Sequence, residues 1–526
     1  MSQTQPQETD LLIIGGGING AGLAALAAHS GFSVVLLEKG DFASGTSSKS
    51  TKLIHGGIRY LEQANFALVF EALHERSHLL KLAPHLVHPL AFLLPVYKGD
   101  QRPPWMLKIG LWLYDLLAGV HNIARHQWFS PQATLAMAPT LRSEGLLGCG
   151  LYYDAQVNDA RLVLENILAA EQAGAVCRSY HQVLSAAEKN LGLTEIRFQD
   201  LATGKEGAYS ARCVVNASGP WANQTDKFFH TSVKPLVRPT RGTHLVVKEV
   251  LGEKALLITT RQDKRVIFVI PWRGYSLVGT TDLDDPNDPD KTKPSESEIN
   301  YLLTEAARLF PGQAWDRSKV LALFTGLRPL AWAEADHASS VSREDKILRE
   351  QNKITIVGGK LTTYRAMAEK GLKAATVILR KKPKRHAFNL PGAPSSSWKV
   401  FLETQVSQWP GRYGISAVQA NHLAFLYGQK GEAVLELTRN NPALLEKLHP
   451  ERPEILAQAA YAIDHEKALH LSDILLRRLE IGYTPYHWGE ASEKVSALMA
   501  QKLSWDSRTL KSELALYKSL LLPAVP

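Results

Sequence analysis

The chain has 526 residues, of which 45% are hydrophobic and 21% charged, a composition that excludes a disordered or fibrous protein and allows two or three cored domains. Its formal charge of +9 admits an anionic small substrate or anionic lipid as partner, and the lack of a basic run interleaved with aromatics excludes nucleic acid. The cysteines Cys149, Cys177 and Cys213 lie far apart, so neither a disulfide framework nor a cysteine metal site is expected.

The N-terminal MSQTQPQETD is polar, without the basic and apolar regions of a secretory signal, which predicts a cytoplasmic protein. Leu11 to Ile14 then reads as a strand buried on both faces. G-x-G-x-x-G follows at Gly15, Gly17 and Gly20, with Ile18 and Asn19 between, then a helix and a second strand ending in Glu38. Such a βαβ unit brings backbone amides and a helix N-terminus onto a pyrophosphate, with the terminal acid on a ribose hydroxyl.

The stretch GDFASGTSSKSTKLIHGGIRYLE is dense in small hydroxyl residues, glycines and cations, and predicts a loop around a long cofactor. Thr46, Ser47, Ser48, His55, Gly56 and Gly57 are its candidate contacts. A helix is predicted from Asn65 to Lys81. It carries H-E-x-x-H at His74, Glu75 and His78, but no third ligand follows and the histidines border an apolar stripe, so no metal is assigned.

Arg102 to Asn122 reads RPPWMLKIGLWLYDLLAGVHN. It is too short to cross a bilayer, and fits either a buried helix or one lying in a single membrane leaflet. The strand VVN then stops at Ala217, Ser218 and Gly219. A second glycine turn, KITIVGGKLTTYR, repeats the strand–turn–helix plan with Gly359, Lys360, Leu361 and Thr362. FAD is long enough to need both ends held, and the second turn would serve its flavin end. The acidic DLDDPNDPD reads as a solvated connection. After a basic, Pro/Ser-rich linker at 381–396 the chain turns helical.

Read together, GGGINGAG, TSSKSTKLIHGGIRYLE, APHL, DARLVLEN, VNASGPWAN, FVIPW, GTTD, TGLRPL and GGKLTTYR resemble the aerobic, FAD-dependent glycerol-3-phosphate dehydrogenases. A weaker likeness continues through DHEKALHLSDILLRR. The resemblance implies an α/β fold: an FAD-binding Rossmann-like domain (10–90, 156–231 and 331–380) with an inserted mixed β-sheet substrate domain (91–155 and 232–330). A C-terminal all-α cap domain (397–526) completes it, with Asp464, Glu466, Asp473, Arg477 and Arg478 as its internal salt-bridge network.

The same resemblance implies oxidation of sn-glycerol 3-phosphate to dihydroxyacetone phosphate, with electrons passed from FAD to membrane quinone at the inner face of the cell membrane. A homodimer is among the states it allows. Arg59, Arg328 and Lys360 would meet the phosphate, with Tyr60 and Thr281 as neutral contacts. Histidine suits removal of the hydroxyl proton, and His55 and His244 are the candidates. His55 is favoured as base and His244 as a ligand of a substrate oxygen, with Arg328 also near the developing alkoxide. An oxygen-using oxidase, an amino-acid oxidase and a non-catalytic flavin-binding protein are the rival readings.

Overall fold

Four apolar residues, Leu11 to Ile14, are buried on both faces at the centre of the first sheet, as a parallel strand covered by helices must be. The computed structural model describes residues 6–230, 234–333, 345–384, 387–486 and 488–521. The main path of this sheet runs Lys346–Glu350, Lys353–Val357, Glu206–Asn216, Gln7–Ile14, Val34–Leu37, Val176–Arg178. Four of its five pairings are parallel, the one between Lys346–Glu350 and Lys353–Val357 being antiparallel, and an antiparallel hairpin, His181–Glu188 with Thr194–Asp200, extends Glu206–Asn216. Helices Ile18–His29, Asp159–Gln172 and Tyr364–Leu379 pack on one face around a single cluster that includes Leu23, Ile167 and Met367.

A second, largely antiparallel sheet is built on Val237–Lys248. That strand pairs with Tyr275–Gly279 on one side and Ala322–Ala331 on the other. Val266–Trp272 and Ala255–Thr259 carry the sheet across to Val87–Tyr97 and Leu146–Val157. Leu53–Ile54, from the loop after the first βαβ unit, pairs with Gln156 and Ala155 at its far edge. That short strand is where the cofactor loop is tied to the second sheet. One side of the sheet is closed by helix Glu296–Leu309, which starts at a Ser295–Glu298 capping box.

From Trp398 onward the chain is helical. Trp409, Tyr427, Leu435, Tyr461 and Val495 fill the core of this region, each fully buried apolar side chain contributing about 1.5–3 kcal/mol. A wide helical turn, Asp473–Arg478, lies against the rest of the molecule.

The ion pairs expected inside this region are present in part, Arg477 with Asp473 at 2.6 Å and Arg478 with Glu466 at 3.9 Å, and the same side chains also reach out of it. Arg478 grips Asp41 with two bonds, Nη1 at 2.6 Å and Nη2 at 2.9 Å, and Arg477 reaches the same carboxylate at 2.5 Å. Glu466 takes Arg161 Nη1 at 2.7 Å. Asp473 accepts from Arg477 and from Tyr180, and Asp464 meets Lys502 at the surface. Because these charges are buried, each needs a partner, and the partners lie beside the nucleotide sheet.

Candidate functional site

A cavity of about 710 Å³ opens where the two sheets meet. Its first wall is the opening glycine turn. Gly15 holds a left-handed φ of 114°, and a Cβ there would lie 2.6 Å from the Ala217 carbonyl oxygen. A Cβ on Gly20 would fall 1.9 Å from the Gly15 oxygen, so Gly20 lets helix Ile18–His29 close onto the strand and does not itself line the cavity. That helix starts at Gly17 with no side-chain cap. Its amides are therefore open to an anion, apart from Ile18 N–H, which donates to Ser47 Oγ at 3.0 Å.

Glu38 lines the cavity beyond this turn. Its carboxylate accepts from the amides of Gly16 at 2.6 Å and Gly40 at 2.8 Å, which leaves lone pairs for a ribose hydroxyl. Burial raises its pKa against those two hydrogen bonds. Asn19, Thr46, Ser47, Ala217, Ser218 and Gly219 line the same cavity, as do Gly359, Leu361 and Thr362 of the second turn. An uncapped helix, a terminal acid and two glycine turns on one elongated cavity fit a dinucleotide held at both ends, which is the shape of FAD.

At the second sheet the cavity reaches His55, His244, Arg328 and Lys360. The backbone amide of His55 donates to Thr362 Oγ1 at 3.2 Å, which binds the two turns together. His244 is 2% exposed; Nε2 meets Thr51 Oγ1 at 3.0 Å, and Nδ1 is buried with no hydrogen-bond partner among the described residues. Burial, then the charges of Arg328 and Lys52, hold its pKa down to about 3, so the ring is neutral. Arg328 is fixed by Asp282 Oδ1 at 2.9 Å, Thr280 Oγ1 at 3.0 Å and the Thr281 carbonyl at 3.1 Å.

Other expected residues stand back from the cavity. Tyr60 is buried behind Lys360, whose Nζ lies 3.9 Å from the ring centroid. Arg59, whose Nη2 donates to Tyr60 Oη at 3.2 Å, lines a separate cavity of about 80 Å³. Thr281 is 3% exposed, and its hydroxyl is committed to Glu298 Oε1 at 2.7 Å while accepting the Thr243 amide at 2.9 Å. That makes it a structural bond; its neighbour Thr280 touches Arg328. Ser48 is buried in the loop, and Gly56 donates to Tyr114 Oη and Asp154. Gly57 takes a left-handed φ of 76° to turn the chain into Ile58–Leu61.

Several lining residues escaped the sequence reading. Lys49 and Thr51 sat unassigned within a motif already singled out, and loss of water together with nearby Arg477 lowers the Lys49 pKa. Asp290 lies in the acidic stretch read as a solvated connection. It closes one edge of the cavity, accepting from Lys39 Nζ at 2.7 Å and Trp221 Nε1 at 3.1 Å. Only its charge among many aspartates was visible, and no spacing pointed to its partners.

Two outlying motifs also take definite places. Helix Phe66–Leu82 carries His74, whose Nδ1 meets the Phe70 carbonyl at 2.8 Å and whose ring stands edge-on to His121, while Glu75 pairs with Arg365. Helix Pro104–Ala118 buries Leu111, Tyr114 and Ala118 and leaves Trp105, Ile109, Trp112 and Leu116 more than half exposed. Among the described residues no helix is long and apolar enough to cross a membrane.

The FAD dependent oxidoreductase family profile matches residues 10–367, and the C-terminal domain of alpha-glycerophosphate oxidase matches residues 384–510. The chain is 37% identical to glycerol-3-phosphate dehydrogenase of Synechocystis sp. over 91% of this chain and 90% of that one. It is 35% identical to the mitochondrial glycerol-3-phosphate dehydrogenase of Homo sapiens, over 98% of this chain and 73% of the relative. The solved glycerol-3-phosphate dehydrogenase of Bacillus halodurans, complexed with FAD, superposes with a TM-score of 0.80 at 28% identity, covering 98% of this chain and 94% of that one. An L-alpha-glycerophosphate oxidase from Mycoplasma pneumoniae shares the fold, at a TM-score of 0.57 and 18% identity over 73% of this chain and 99% of that one. The chain belongs to the glycerol-3-phosphate dehydrogenase family of FAD-dependent oxidoreductases.

Proposed function

We propose that the protein oxidises sn-glycerol 3-phosphate to dihydroxyacetone phosphate and passes the electrons to a membrane quinone. The observation that carries this reading is the meeting of a neutral buried histidine and two cations, Arg328 and Lys360, at the second-sheet end of a dinucleotide-shaped cavity. When bound, FAD supplies the two-electron acceptor for the hydride that leaves the carbinol carbon.

The substrate phosphate is a dianion, and Arg328 and Lys360 are the cations that face it. Arg328 is held by three protein oxygens, so its guanidinium is already oriented when substrate arrives. Tyr60 supports the Lys360 ammonium through its ring face. Arg59, beyond Tyr60, contributes its field and no direct contact. His55 takes the hydroxyl proton as the carbonyl forms. His244, neutral and with Nδ1 unfilled, holds a substrate oxygen by hydrogen bonding.

The exposed apolar face of Pro104–Ala118 would lie in one leaflet of the membrane, with Arg102, Lys108 and Arg125 near anionic headgroups. In that position a lipid-dissolved quinone would reach the flavoprotein. The test is anaerobic: sn-glycerol 3-phosphate added to the FAD-loaded protein without acceptor bleaches the oxidised-flavin band, and glycerol or an amino acid does not. A quinone analogue then restores the colour. Restoration by oxygen at the same rate would assign an oxidase, and a flavin that stays oxidised would refute the substrate.

A further inference from the structure

Two buried routes lead from the C-terminal helical region to the His244 ring. The ionic one begins at Glu480, which is 1% exposed and holds a left-handed φ of 56°. Its Oε1 accepts from Lys52 Nζ at 2.8 Å; its Oε2 accepts from Asn158 Nδ2 at 3.2 Å and Arg273 Nε at 3.0 Å. Lys52, fully buried, also donates to Asp159 Oδ1 at 2.7 Å. Asp159 accepts from Ser50 Oγ at 2.7 Å, and that hydroxyl oxygen receives the Lys52 amide at 2.9 Å. Thr51, clamped between Ser50 and Lys52, meets His244 Nε2 at 3.0 Å. The aromatic route is shorter: the Tyr483 and Phe324 centroids are 5.2 Å apart, and Phe324 stacks on His244 at 5.0 Å.

A buried ion cluster seldom stabilises a fold more than apolar packing of the same volume would, and its attested use is to specify one geometry. Here the geometry specified is that of Thr51. A single hydroxyl can orient a ring only if its own backbone is fixed, and the bonds of Ser50 and Lys52 fix it. With the Thr51 hydroxyl on Nε2, Nδ1 is the ring nitrogen left for a substrate hydroxyl.

We propose that Glu480 is a positioning residue for the reaction: through Lys52 and Thr51 it sets the orientation of the His244 ring, so the C-terminal helical region completes the substrate end of the cavity. This rests on the dehydrogenase reading given above. The cluster joins three parts of the chain at one carboxylate, and none of its charged groups lines the cavity, so apart from the field of Lys52 at the ring its effect on chemistry passes through Thr51.

The experiment compares full-length, FAD-loaded wild type with Glu480→Gln, Glu480→Asp and Thr51→Val. Glu480→Gln lowers the rate of flavin bleaching by sn-glycerol 3-phosphate about 10- to 100-fold, the usual cost of losing an orienting partner, and lowers kcat more than it raises KM. Glu480→Asp recovers most of that loss. Thr51→Val leaves the buried charges intact, folds as wild type, and shows the same kcat loss. FAD affinity of each apoprotein is read by fluorescence quenching and every rate is expressed per bound flavin, since Thr51 also lines the cavity. A wild-type rate per bound flavin in Glu480→Gln or Thr51→Val, or a loss explained wholly by weaker FAD binding, overturns the proposal. A wild type that does not bleach refutes the functional reading itself.

Discussion

Arg328 is the residue at which substrate chemistry and protein structure are hardest to separate. Its three hydrogen bonds to Asp282, Thr280 and Thr281 hold a fork that a phosphate can meet without reorganisation. Arg328→Met removes the charge and keeps the length, and the expected outcome is a fall in kcat/KM for sn-glycerol 3-phosphate of roughly 10²–10³-fold, the scale of losing one oriented donor. Steady-state kinetics with a quinone analogue would read it, and flavin content serves as the control for folding. Glycines and terminal acids were legible in the sequence because their task is local: Gly15 and Glu38 act within the turn that contains them. Thr281 was not, because a hydroxyl at a strand end serves a neighbouring carboxylate as well as a ligand, and Glu298 stands one helical turn into a distant segment.

Helix Pro104–Ala118 shows how far pattern alone carries an element. The pattern fitted either a buried helix or one lying in a single leaflet, and only its packing against helix Phe66–Leu82 and strand Leu146–Val157 tells which side is covered. The covered side is Leu111, Tyr114 and Ala118, and the two tryptophans point outward. Replacing Trp105 and Trp112 together by serine removes the largest exposed apolar area of this face. Binding to vesicles of anionic phospholipid, measured by flotation, is expected to weaken at least tenfold, since each ring offers more than about 1.5 kcal/mol of burial. Flavin content should be unchanged, because neither side chain lines the cofactor cavity. Unaltered flotation would remove this helix from the membrane reading. The wide turn Asp473–Arg478 was foreseen as helical and charged, yet its partner Asp41 lies 437 residues away from Arg478. No local spacing encodes such a pair.

For the whole molecule, the buried histidines set a limit on acid tolerance. Burial holds His88 and His422 down to about 4, His244 to about 3, and His85 well below its usual value. Each is neutral when folded and takes a proton in the unfolded chain below about pH 6.5. As pH falls from 6.5 towards 4, unfolding is therefore favoured, by about 1.4 kcal/mol per pH unit for each group between its two pKa values. His470, raised by its bond to Glu513 although burial opposes it, acts in the opposite sense, losing its contribution as pH rises through its folded pKa. The expected net result is a thermal midpoint that drops steeply between pH 6.5 and 4, followed by scanning calorimetry at fixed FAD. A flat profile over that range would contradict the burial of these rings. The grip of Arg477 and Arg478 on Asp41 has a consequence in time as well. Synthesis proceeds from the N-terminus, and at about 5–20 residues per second the loop at Asp41 waits roughly 20–90 s for a partner 437 residues later. Until then the nascent chain holds every glycine of the first turn and none of this distant clasp, so the buried ion pairs that tie the loop at Asp41 to the helical region close only near the end of synthesis.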